Sequence, residues 1–359
     1  MSNTILLTGG TGFLGMELIA RLLEEDEGPE VILAVRACDG AEAQRRIEGL
    51  LAQLYEEPPV AAGRLRAVAA ELTVAGMGLL PRDRREVVAT VDRVVHCAAS
   101  ISFTLPLEEA RAINVAGTRS VLDLAREIHG IERFVHVSTA YVAGRLEGCF
   151  DESDLDGDQE FRNTYERTKF EAEQLVTAAD DLPTVTVRPS IVVGEADSGW
   201  TSAFNVIYWP LQAFARGLLD ELPADPEGIV DVVSVDHVTG VLAHALLAGE
   251  VSGTLHAVSG SQAPRVCDLV AWASDILGRP APALVSPRLI GPDRPGAEFA
   301  AYFDVRANFD DHRTQAQTGL IAPPPGQVLD AILDYAQLTR WGKRPLTRQA
   351  ARERLLAPR

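Results

Sequence analysis

Residues Thr4–Gly15 read TILLTGGTGFLG, and this stretch decides the fold. Its first five residues predict a short buried β-strand, and the helical spacing of Met16–Leu23 predicts the helix that follows. Between them, Gly9, Gly12 and Gly15 form a G-x-x-G-x-x-G turn. The first glycine of such a turn allows a tight bend, the second lets the backbone approach a pyrophosphate, and the third allows close helix–strand contact. With the helix N-terminus facing the phosphates, the stretch predicts a dinucleotide-binding βαβ unit.

The segments after this turn alternate between apolar strand-like runs and helical patterns. Continuous apolar strands between helices indicate a parallel sheet covered on both faces. Further strands are predicted at Val31–Val35, Leu65–Ala70, Val91–Cys97, Phe134–Ser138 and Thr184–Arg188. Helices are predicted at Ala41–Leu54, Leu107–Ile128 and Thr164–Ala179. The predicted fold class is therefore α/β, with a doubly wound parallel sheet of the Rossmann type.

The alternation breaks after about Gly194, where a second region is expected. Its expected elements are helices at Trp200–Leu219 and Leu269–Leu277, sheet strands at Val230–Val235 and Thr254–Val258, and proline-rich loops at Pro280–Pro295 and Ala322–Pro325. We predict an NADP(H)-binding domain with the catalytic residues over 1–195. A smaller, interleaved substrate-binding region over 196–359 is predicted to return strands and helices to the first domain at about 229–260.

Composition excludes several classes of protein. The 359 residues carry a formal net charge of −18, which argues against nucleic acid as a partner because phosphate binding needs clustered positive charge. The four scattered cysteines form no disulfide framework, and the seven histidines form no ligand cluster, so no metal site is expected. The sequence has neither a signal-peptide pattern nor an apolar run of about 18 residues. We expect a cytoplasmic protein without a membrane span.

Basic residues mark the second determinant of dinucleotide binding, at the end of the next strand about 20 residues after the turn. An acidic residue there would hydrogen-bond the ribose hydroxyls of NAD, but this chain has Arg36, with Arg45 and Arg46 in the following helix. Guanidinium groups match a 2′-phosphate bidentately. The pattern favours NADPH over NADH; the alternative is that Arg36 is merely solvated.

Tyr165 and Lys169 form a Y-x-x-x-K pair on one face of a predicted helix. A phenol with a pKa near 10 is a poor acid–base catalyst at pH 7. A neighbouring ammonium stabilises the phenolate and brings that pKa towards the working range. Because Lys169 is one of only two lysines in the chain, a chance pairing is rarer than usual. An exposed helix face is the alternative explanation.

Two further motifs accompany the glycine turn and the tyrosine–lysine pair. They are NVAGT at 114–118 and RPS at 188–190. Over about residues 4–260, the combination resembles the extended short-chain dehydrogenase/reductase superfamily.

The resemblance implies a role for each catalytic candidate. Thr139 matches the residue that hydrogen-bonds the reacting oxygen, and the neighbouring Ser138 is ranked second for this role. Tyr165 matches the proton donor. Lys169 matches the residue that binds the nicotinamide ribose and tunes Tyr165, and Asn114 matches the position that supports the proton relay.

Four segments are more specifically similar to the thioester reductase/fatty acyl-CoA reductase branch: HCAASISF (96–103), INVAGTRSVLDLA (113–125), VSTAYVAG (137–144) and NTYERTKFEAE (163–173). The branch implies that Arg36 and Arg46 clamp a 2′-phosphate. Besides Lys169, the implied cofactor-binding residues are Thr8, Gly9, Thr11, Gly12, Phe13, Leu14, Gly15, Arg36, Arg46, Glu71, Leu72, Ala98, Ala99, Ser100, Pro189 and Ile191. Glu71 departs from the branch, where relatives commonly carry an aspartate beside the adenine.

The branch also implies a reaction, the NADPH-dependent reduction of an acyl thioester. The acyl group would be bound to CoA or to a carrier protein, and the oxyanion would be held by Thr139 and Tyr165. The product would be an aldehyde, with onward reduction to the alcohol left open. Two alternatives remain: a reductase, dehydrogenase or epimerase of the same fold acting on a ketone, sterol or nucleotide sugar, and a non-catalytic NADP(H) sensor.

Two further features concern the substrate. Phe103, Ser138, Trp200 and Phe204 are the substrate-side candidates, and the aromatic stretch that begins at Trp200 either lines an acyl pocket or forms a core helix. The C-terminal end is basic against an acidic body, through Arg340, Lys343, Arg344, Arg348, Arg352, Arg354 and Arg359. It is either a docking surface for a phosphopantetheine carrier, an acidic carrier protein or a membrane, or a solvated helix.

Overall fold

The computed structural model describes residues 3–155, 158–204, 206–286 and 301–355. The strands in these ranges are short and mostly buried. In chain order they are β1 (Thr4–Thr8), β2 (Glu30–Arg36), β3 (Leu65–Ala70), β4 (Arg93–His96), β5 (Arg133–Val137), β6 (Gly148–Phe150), β7 (Thr184–Pro189), β8 (Ile191–Val193), β9 (Glu221–Pro223), β10 (Val232–Ser234), β11 (Gly253–Ala257), β12 (Ala283–Val285) and β13 (Ala307–Phe309).

The helices follow the strands along the chain. They are α1 (Phe13–Glu24), α2 (Gly40–Leu54), α3 (Pro81–Thr90), α4 (Leu107–Arg111), α5 (Gly117–Glu127), α6 (Thr164–Thr177), α7 (Tyr208–Ala215), α8 (Val235–Leu247), α9 (Val266–Leu277), α10 (His312–Thr318), α11 (Pro325–Leu338) and α12 (Arg348–Leu355). A π-helical turn over Ala112–Ala116 joins α4 to α5, so the predicted helix at Leu107–Ile128 is present but more loosely wound at its centre.

The central sheet confirms the predicted fold class. Its order is β11-β7-β5-β4-β1-β2-β3, and every neighbouring pair is parallel. The strand order reverses at β1, which lies between β4 and β2. In a doubly wound sheet the crevice outside the carboxyl ends of the strands at this reversal is where ligands bind.

Successive residues of β1 show why both faces of the sheet are covered. Ile5 and Leu7 join the apolar cluster under α1, α2 and α8, whereas Leu6 joins the cluster under α3, α5 and α6. All three side chains are fully buried. Neighbouring side chains on a strand point to opposite faces, so a run without polar interruption requires helices on both sides.

A third apolar cluster lies in the C-terminal region, between α7, α9 and α11. The predicted helix at Trp200–Leu219 is wrong in extent, since only Tyr208–Ala215 is helical. Pro210 explains the late start, because a proline ring clashes with the carbonyl four residues earlier in a longer helix. The predicted strand at Val230–Val235 is also placed differently, since β10 pairs with β8 outside the central sheet.

Other predictions concern membrane crossing, the cysteines and the C-terminal loops. In the described ranges no helix combines the length and apolar character that crossing a membrane requires. The cysteines Cys38, Cys97, Cys149 and Cys267 are free thiols. Most of the proline-rich loop predicted at Pro280–Pro295 lies outside the described residues, as does Arg359.

Candidate active site

The glycine turn brings the end of β1 against the loop that follows β4. Gly9 has a φ of +76°, and a Cβ atom there would lie 2.6 Å from the amide nitrogen of Ala98. That amide donates a hydrogen bond to the Thr8 hydroxyl at 3.3 Å. A Cβ atom on Gly15 would meet the Gly9 carbonyl oxygen, so the third glycine lets α1 approach the turn. The result is a cradle of backbone atoms that a side chain would fill.

The N-terminus of α1 provides backbone amides for an anion. Gly12 precedes the helix, no side chain caps this end, and the first turn contains no acidic residue. The first amides of a helix have no intrahelical partner, and the helix dipole adds partial positive charge there. Thr11 is exposed beside this end, and Phe13 and Leu14 are half-buried. Cradle and helix end together fit the pyrophosphate of a dinucleotide.

Charged residues surround the predicted adenosine end of this site. Arg36 is the exposed last residue of β2, and Arg46 lies on α2 with its guanidinium 3.5 Å from the carboxylate of Glu42. The carboxylate of Glu71 accepts hydrogen bonds from the Thr73 amide and hydroxyl at 3.1 and 2.9 Å. These bonds, and less strongly Arg36, lower the pKa of Glu71. The Glu71 carboxylate is thus occupied within its own turn.

Thr139, Tyr165 and Lys169 come together below the dinucleotide cradle. Thr139 follows β5, while Tyr165 and Lys169 lie one turn apart on α6. The hydroxyls of Thr139 and Tyr165 share a hydrogen bond. Thr139 also donates to the Pro189 carbonyl at 3.3 Å, at the start of the segment that leads to the buried Ile191. Tyr165 as a whole residue is half-buried.

The surroundings shift both titratable groups of this set. Burial lowers the pKa of Lys169 to about 8. Burial also raises the pKa of Tyr165 to about 12, against the smaller lowering effect of its bond to Thr139. Contrary to the expectation from the Y-x-x-x-K spacing, Lys169 is not among the groups that shift the Tyr165 pKa. Tyr165 is therefore a protonated phenol at neutral pH, the state from which it donates a proton.

The side chain of Asn114 fixes neighbouring backbone rather than pointing towards the reacting groups. Its amide nitrogen donates to the Ser100 carbonyl at 3.1 Å and to the Thr168 hydroxyl at 2.9 Å. Its oxygen accepts from the Ser100 amide at 2.7 Å. With both donors used, the Asn114 side chain holds the Ala98–Ser100 segment in place. It is a positioning residue, in contrast to the relay role that the resemblance implied.

Two histidines outside the predicted site lie near Lys169. The Lys169 ammonium donates to the Val137 carbonyl at 2.7 Å and lies 3.5 Å from Nε2 of His136. His136 is fully buried, and burial with the nearby Lys169 charge lowers its pKa far enough to keep it neutral. His96 lies between Thr8 and Thr118 at 2.8 and 2.9 Å. Their positions in β5 and β4, each just before a predicted site segment, were the available signal.

An aromatic wall lies on the outer side of Tyr165. The ring of Phe103 is 5.9 Å from that of Tyr165 and 5.1 Å from that of Tyr302. Tyr302 in turn meets Tyr141 edge-on at 4.9 Å and accepts a hydrogen bond from Asn163 at 2.9 Å. Phe103 was predicted on the substrate side, whereas Tyr302 lies in a stretch without a recognisable motif.

The comparisons with known proteins agree with this geometry. A family model for a NAD-binding family described as male sterility protein matches residues 7–242. The chain belongs to this family. It is 30% identical to the fatty acyl-CoA reductase wat of Drosophila melanogaster over 278 residues, 68% of this chain and 53% of that protein. It is 32% identical to fatty acyl-CoA reductase 1 of Mus musculus over 285 residues, 69% of this chain and 55% of that protein.

These relatives are longer proteins, and the chain spans about half of their length. Among solved structures, the terminal R domain of the myxalamid PKS-NRPS pathway matches with a TM-score of 0.81 at 23% identity, over 96% of this chain and 93% of that one. A thiolation-reductase di-domain from an archaeal non-ribosomal peptide synthetase matches with a TM-score of 0.75 at 18% identity, over 95% of this chain and 76% of that one.

Membership of the male sterility protein family confirms the resemblance to the thioester reductase branch of the extended short-chain dehydrogenases/reductases. It also confirms the expected NAD-binding domain. Within the described ranges, no group of three or more His, Cys, Asp or Glu side chains is placed to hold a metal ion.

The Ser138 side chain, predicted on the substrate side, is bonded to a buried ion pair. It is buried and donates a hydrogen bond to the carboxylate of Glu173. That carboxylate also binds the buried guanidinium of Arg188 at 2.7 and 2.9 Å. Adjacent residues at a strand end point to opposite sides, so Ser138 is drawn into this ion pair while Thr139 faces Tyr165.

Trp200, also predicted on the substrate side, lies in the apolar core. It is 1% exposed within the apolar cluster beneath α1 and α8, and its indole donates to the Leu346 carbonyl at 3.2 Å. Phe204 packs between Tyr208 and Tyr335, with ring centres 5.1 and 6.2 Å away. Trp200 is therefore a core residue outside any helix, and Phe204 belongs to the packing of α7 on α11.

Neither interpretation of the basic C-terminal end describes Arg348 of α12. Arg348 is 2% exposed, and its guanidinium lies 2.6 Å from the carboxylate of Glu17 and 2.8 Å from that of Glu195. Arg352 lies 2.7 Å from Glu195. Arg348 thus attaches α12 to α1 through a buried ion pair, while Arg352 is partly exposed and Arg354 is exposed. The family model ends at residue 242, well before this helix.

Proposed function

We propose that this chain is an NADPH-dependent reductase that converts an acyl thioester to an aldehyde and a free thiol. The observation that carries the proposal is the hydrogen-bonded Thr139–Tyr165 pair beside buried Lys169, next to a backbone cradle that fits a pyrophosphate. The names of the similar fatty acyl-CoA reductases support the thioester as the substrate class.

The choice of NADPH rests on charge. Gly9, Gly12 and the first amides of α1 would hold the pyrophosphate, and Arg36 and Arg46 would hold the 2′-phosphate. When bound, NADPH supplies a hydride to the carbonyl carbon of the substrate. We expect Arg36→Ala to raise the KM for NADPH about 10–100-fold, the loss of a charge-assisted hydrogen bond, and to leave the KM for NADH unchanged. Arg85→Ala, at an exposed arginine of α3, is the control.

The residues of the chain supply the proton and the electrostatic support. The Tyr165 hydroxyl and Thr139 hydrogen-bond the thioester carbonyl oxygen, and Tyr165 donates its proton as negative charge develops there. The Lys169 ammonium, held by the Val137 carbonyl at 2.7 Å, would bind the nicotinamide ribose of the cofactor. The resulting hemithioacetal breaks its carbon–sulfur bond, releasing the aldehyde and the thiol. Phe103 and Tyr302 form an apolar wall at Tyr165, which suits an acyl chain.

The same proposal includes a cellular location for the protein and a role for each of its two predicted regions. The free cysteines support a reducing compartment, the cytoplasm. Residues 1–195 would bind the cofactor and carry the catalytic set, while 196–359 would contribute the substrate side, including Tyr302. A carrier-bound acyl group and acyl-CoA are both substrates of the proposed class.

The test is NADPH oxidation with medium- and long-chain acyl-CoAs, compared with simple ketones and aldehydes, with products identified by mass spectrometry. Turnover of acyl-CoA to an aldehyde is expected, and the same spectra report any onward reduction to the alcohol. Tyr165→Phe should lower kcat/KM by about 10²–10⁴-fold, the usual contribution of a general acid. Tyr55→Phe, at a phenol far from the site along the sequence, should not. Turnover of ketones or aldehydes but never of thioesters would overturn the proposal.

A further inference from the structure

A cavity of about 570 Å³ lies in the C-terminal region, away from the residues assigned to the cofactor. It opens between the C-terminal ends of α7, α9 and α11. Four cationic residues line it, together with Trp341 and a few neutral residues, and no carboxylate does so in the part of the chain that the structure describes. The four are Arg216, Arg279, Arg340 and Lys343.

Within the described residues, these four side chains lack the carboxylate partners that many other arginines have. Across the described ranges none of the four makes a side-chain hydrogen bond or an ion pair, whereas Arg348 and Arg352 are each bound to several carboxylates. All four are exposed. In a chain with a net charge of −18, acidic partners are abundant, yet none of those in the described ranges lines this cavity.

The backbone holds the cations towards the cavity. Arg340, Trp341 and Gly342 have successive positive φ values of 53°, 57° and 78°, a conformation that is costly for the first two residues. The Trp341 amide donates to the Ala336 carbonyl at 2.6 Å and closes this turn onto α11. Gly217, at a φ of +68°, leaves room for Arg279, whose guanidinium nitrogen would lie 2.8 Å from a Cβ there.

Neutralisation of helix dipoles explains only part of this charge. Three helix C-termini meet at the cavity, and each carries about half a negative charge at most. Their sum of roughly 1.5 charges leaves an excess of about 2.5 positive charges from the four cations. An uncompensated excess of this kind on an acidic protein indicates a site for a polyanion.

The cationic cavity lies next to a small apolar cavity between α7 and α9. Ala215 lines the cationic cavity, and the adjacent Phe214 lines the small apolar cavity. Phe303 lines the far side of that apolar cavity and directly follows Tyr302, which contacts Phe103 beside Tyr165. The cationic cavity, the small apolar cavity and the aromatic wall are thus linked through neighbouring residues of the chain.

We propose that the cavity formed by Arg216, Arg279, Arg340 and Lys343 binds the phosphate groups of the thioester substrate. The inference rests on the proposed function and deepens it. Phosphate is the chemistry that CoA shares with the phosphopantetheine arm of a carrier protein, and Arg and Lys are the side chains that bind it. Trp341, half-buried at the cavity wall, offers a face on which an adenine base stacks.

The experiment compares Arg216→Ala/Arg279→Ala with the control Arg85→Ala/Arg119→Ala, which removes the same charge from exposed sites on α3 and α5. For acyl-CoA we expect the KM of the cavity variant to rise at least tenfold with kcat within about twofold. For the same acyl group on N-acetylcysteamine, a thioester without phosphate, kcat/KM should be unchanged. An unchanged KM for acyl-CoA would overturn the proposal. So would a lower Tm without weaker binding, since the cations would then serve only the helix ends.

Calorimetry separates the outcomes without relying on turnover. CoA, phosphopantetheine and inorganic phosphate are titrated into the protein saturated with NADP⁺, which fills the dinucleotide site. Weaker binding of CoA and phosphopantetheine to the cavity variant than to the control supports the proposal for both sources. An effect on CoA alone supports CoA as the source. Binding of inorganic phosphate alone, or no effect, overturns it. If the protein reduces no thioester, the proposed function fails, and these titrations still report on the cavity.

Discussion

The catalytic centre and the C-terminal helix each bury a cation, and they treat its charge in opposite ways. Lys169 lies beside a carbonyl oxygen and a neutral histidine, and burial lowers its pKa to about 8. Arg348 lies against the carboxylates of Glu17 and Glu195, which hold its pKa above the usual range despite burial. The first arrangement leaves a charge poorly compensated where chemistry needs it, and the second offsets the charge where only cohesion is needed.

The largest expected effect is the loss of activity when the catalytic charge is removed. Lys169→Met should lower kcat/KM with acyl-CoA by about 10²-fold, because the nicotinamide ribose loses the ammonium that would position it. In the unmodified protein, kcat/KM should fall above about pH 8, as Lys169 loses its proton. Stopped-flow and steady-state NADPH oxidation across pH 6–10 measure both effects. A variant that keeps wild-type activity would remove Lys169 from the mechanism.

The second effect is on the free energy of unfolding and not on catalysis. Arg348→Met should reduce the free energy of unfolding by about 3–5 kcal/mol, since Glu17 and Glu195 remain buried without their partner. Urea unfolding followed by circular dichroism measures the change, and kcat should stay close to that of the unmodified protein at low temperature. Arg265→Ala breaks an exposed pair with Glu227 and should cost less than about 1 kcal/mol. Equal losses in the two variants would contradict the contrast.

The third effect has the opposite sign, because an uncompensated buried charge opposes folding. The pKa of Lys169 falls from about 10.5 in the unfolded chain to about 8 in the folded protein, so below pH 8 the charge costs up to about 3 kcal/mol. Lys169→Met should therefore be more stable than the parent at pH 7. Between pH 8 and 10.5 the unfolded chain binds the extra proton, the parent gains stability with rising pH, and the difference shrinks. A constant difference across this range would argue against the charge as the cause.

The smallest effect tests how far burial matters within the ion-pair cluster itself. The Arg352 side chain is 36% exposed, compared with 3% for that of Arg348, although both bind Glu195. Solvent screens an exposed pair, so Arg352→Ala should cost only about 1 kcal/mol in urea unfolding. A loss as large as that of Arg348→Met would show that the number of carboxylate contacts outweighs burial.

Local sequence predicted the fold and the part of the site that short spacings define. The glycine turn and the Tyr165–Lys169 pair depend on neighbours within a few residues, so their geometry is readable from the order of the residues. Thr139 and Ser138 are adjacent, and choosing between them required knowledge of Glu173, which lies on another element. For the same reason, an aromatic pattern at Trp200 does not distinguish a pocket from a core.

The features that sequence did not predict depend on distant partners. The tail arginines look alike as a pattern, yet Arg348 is buried against Glu17 while Lys343 faces an open cavity. Tyr302 and His136 likewise acquire their positions from the packing of remote segments onto Tyr165 and Lys169. Charge and hydrophobicity are properties of single residues, whereas burial and compensation are properties of the assembled molecule.

The attachment of α12 to α1 also has a consequence for the order of events during synthesis. Glu17 and Arg348 are 331 positions apart, so their bond closes almost the whole described chain into a loop. At roughly 5–20 residues per second, Arg348 leaves the ribosome about 8–30 s after Glu195. Throughout that interval α1 carries a carboxylate whose partner has not been made. The nucleotide-binding half therefore reaches its final stability only late in translation, and a chain released before residue 348 is a natural target for quality control.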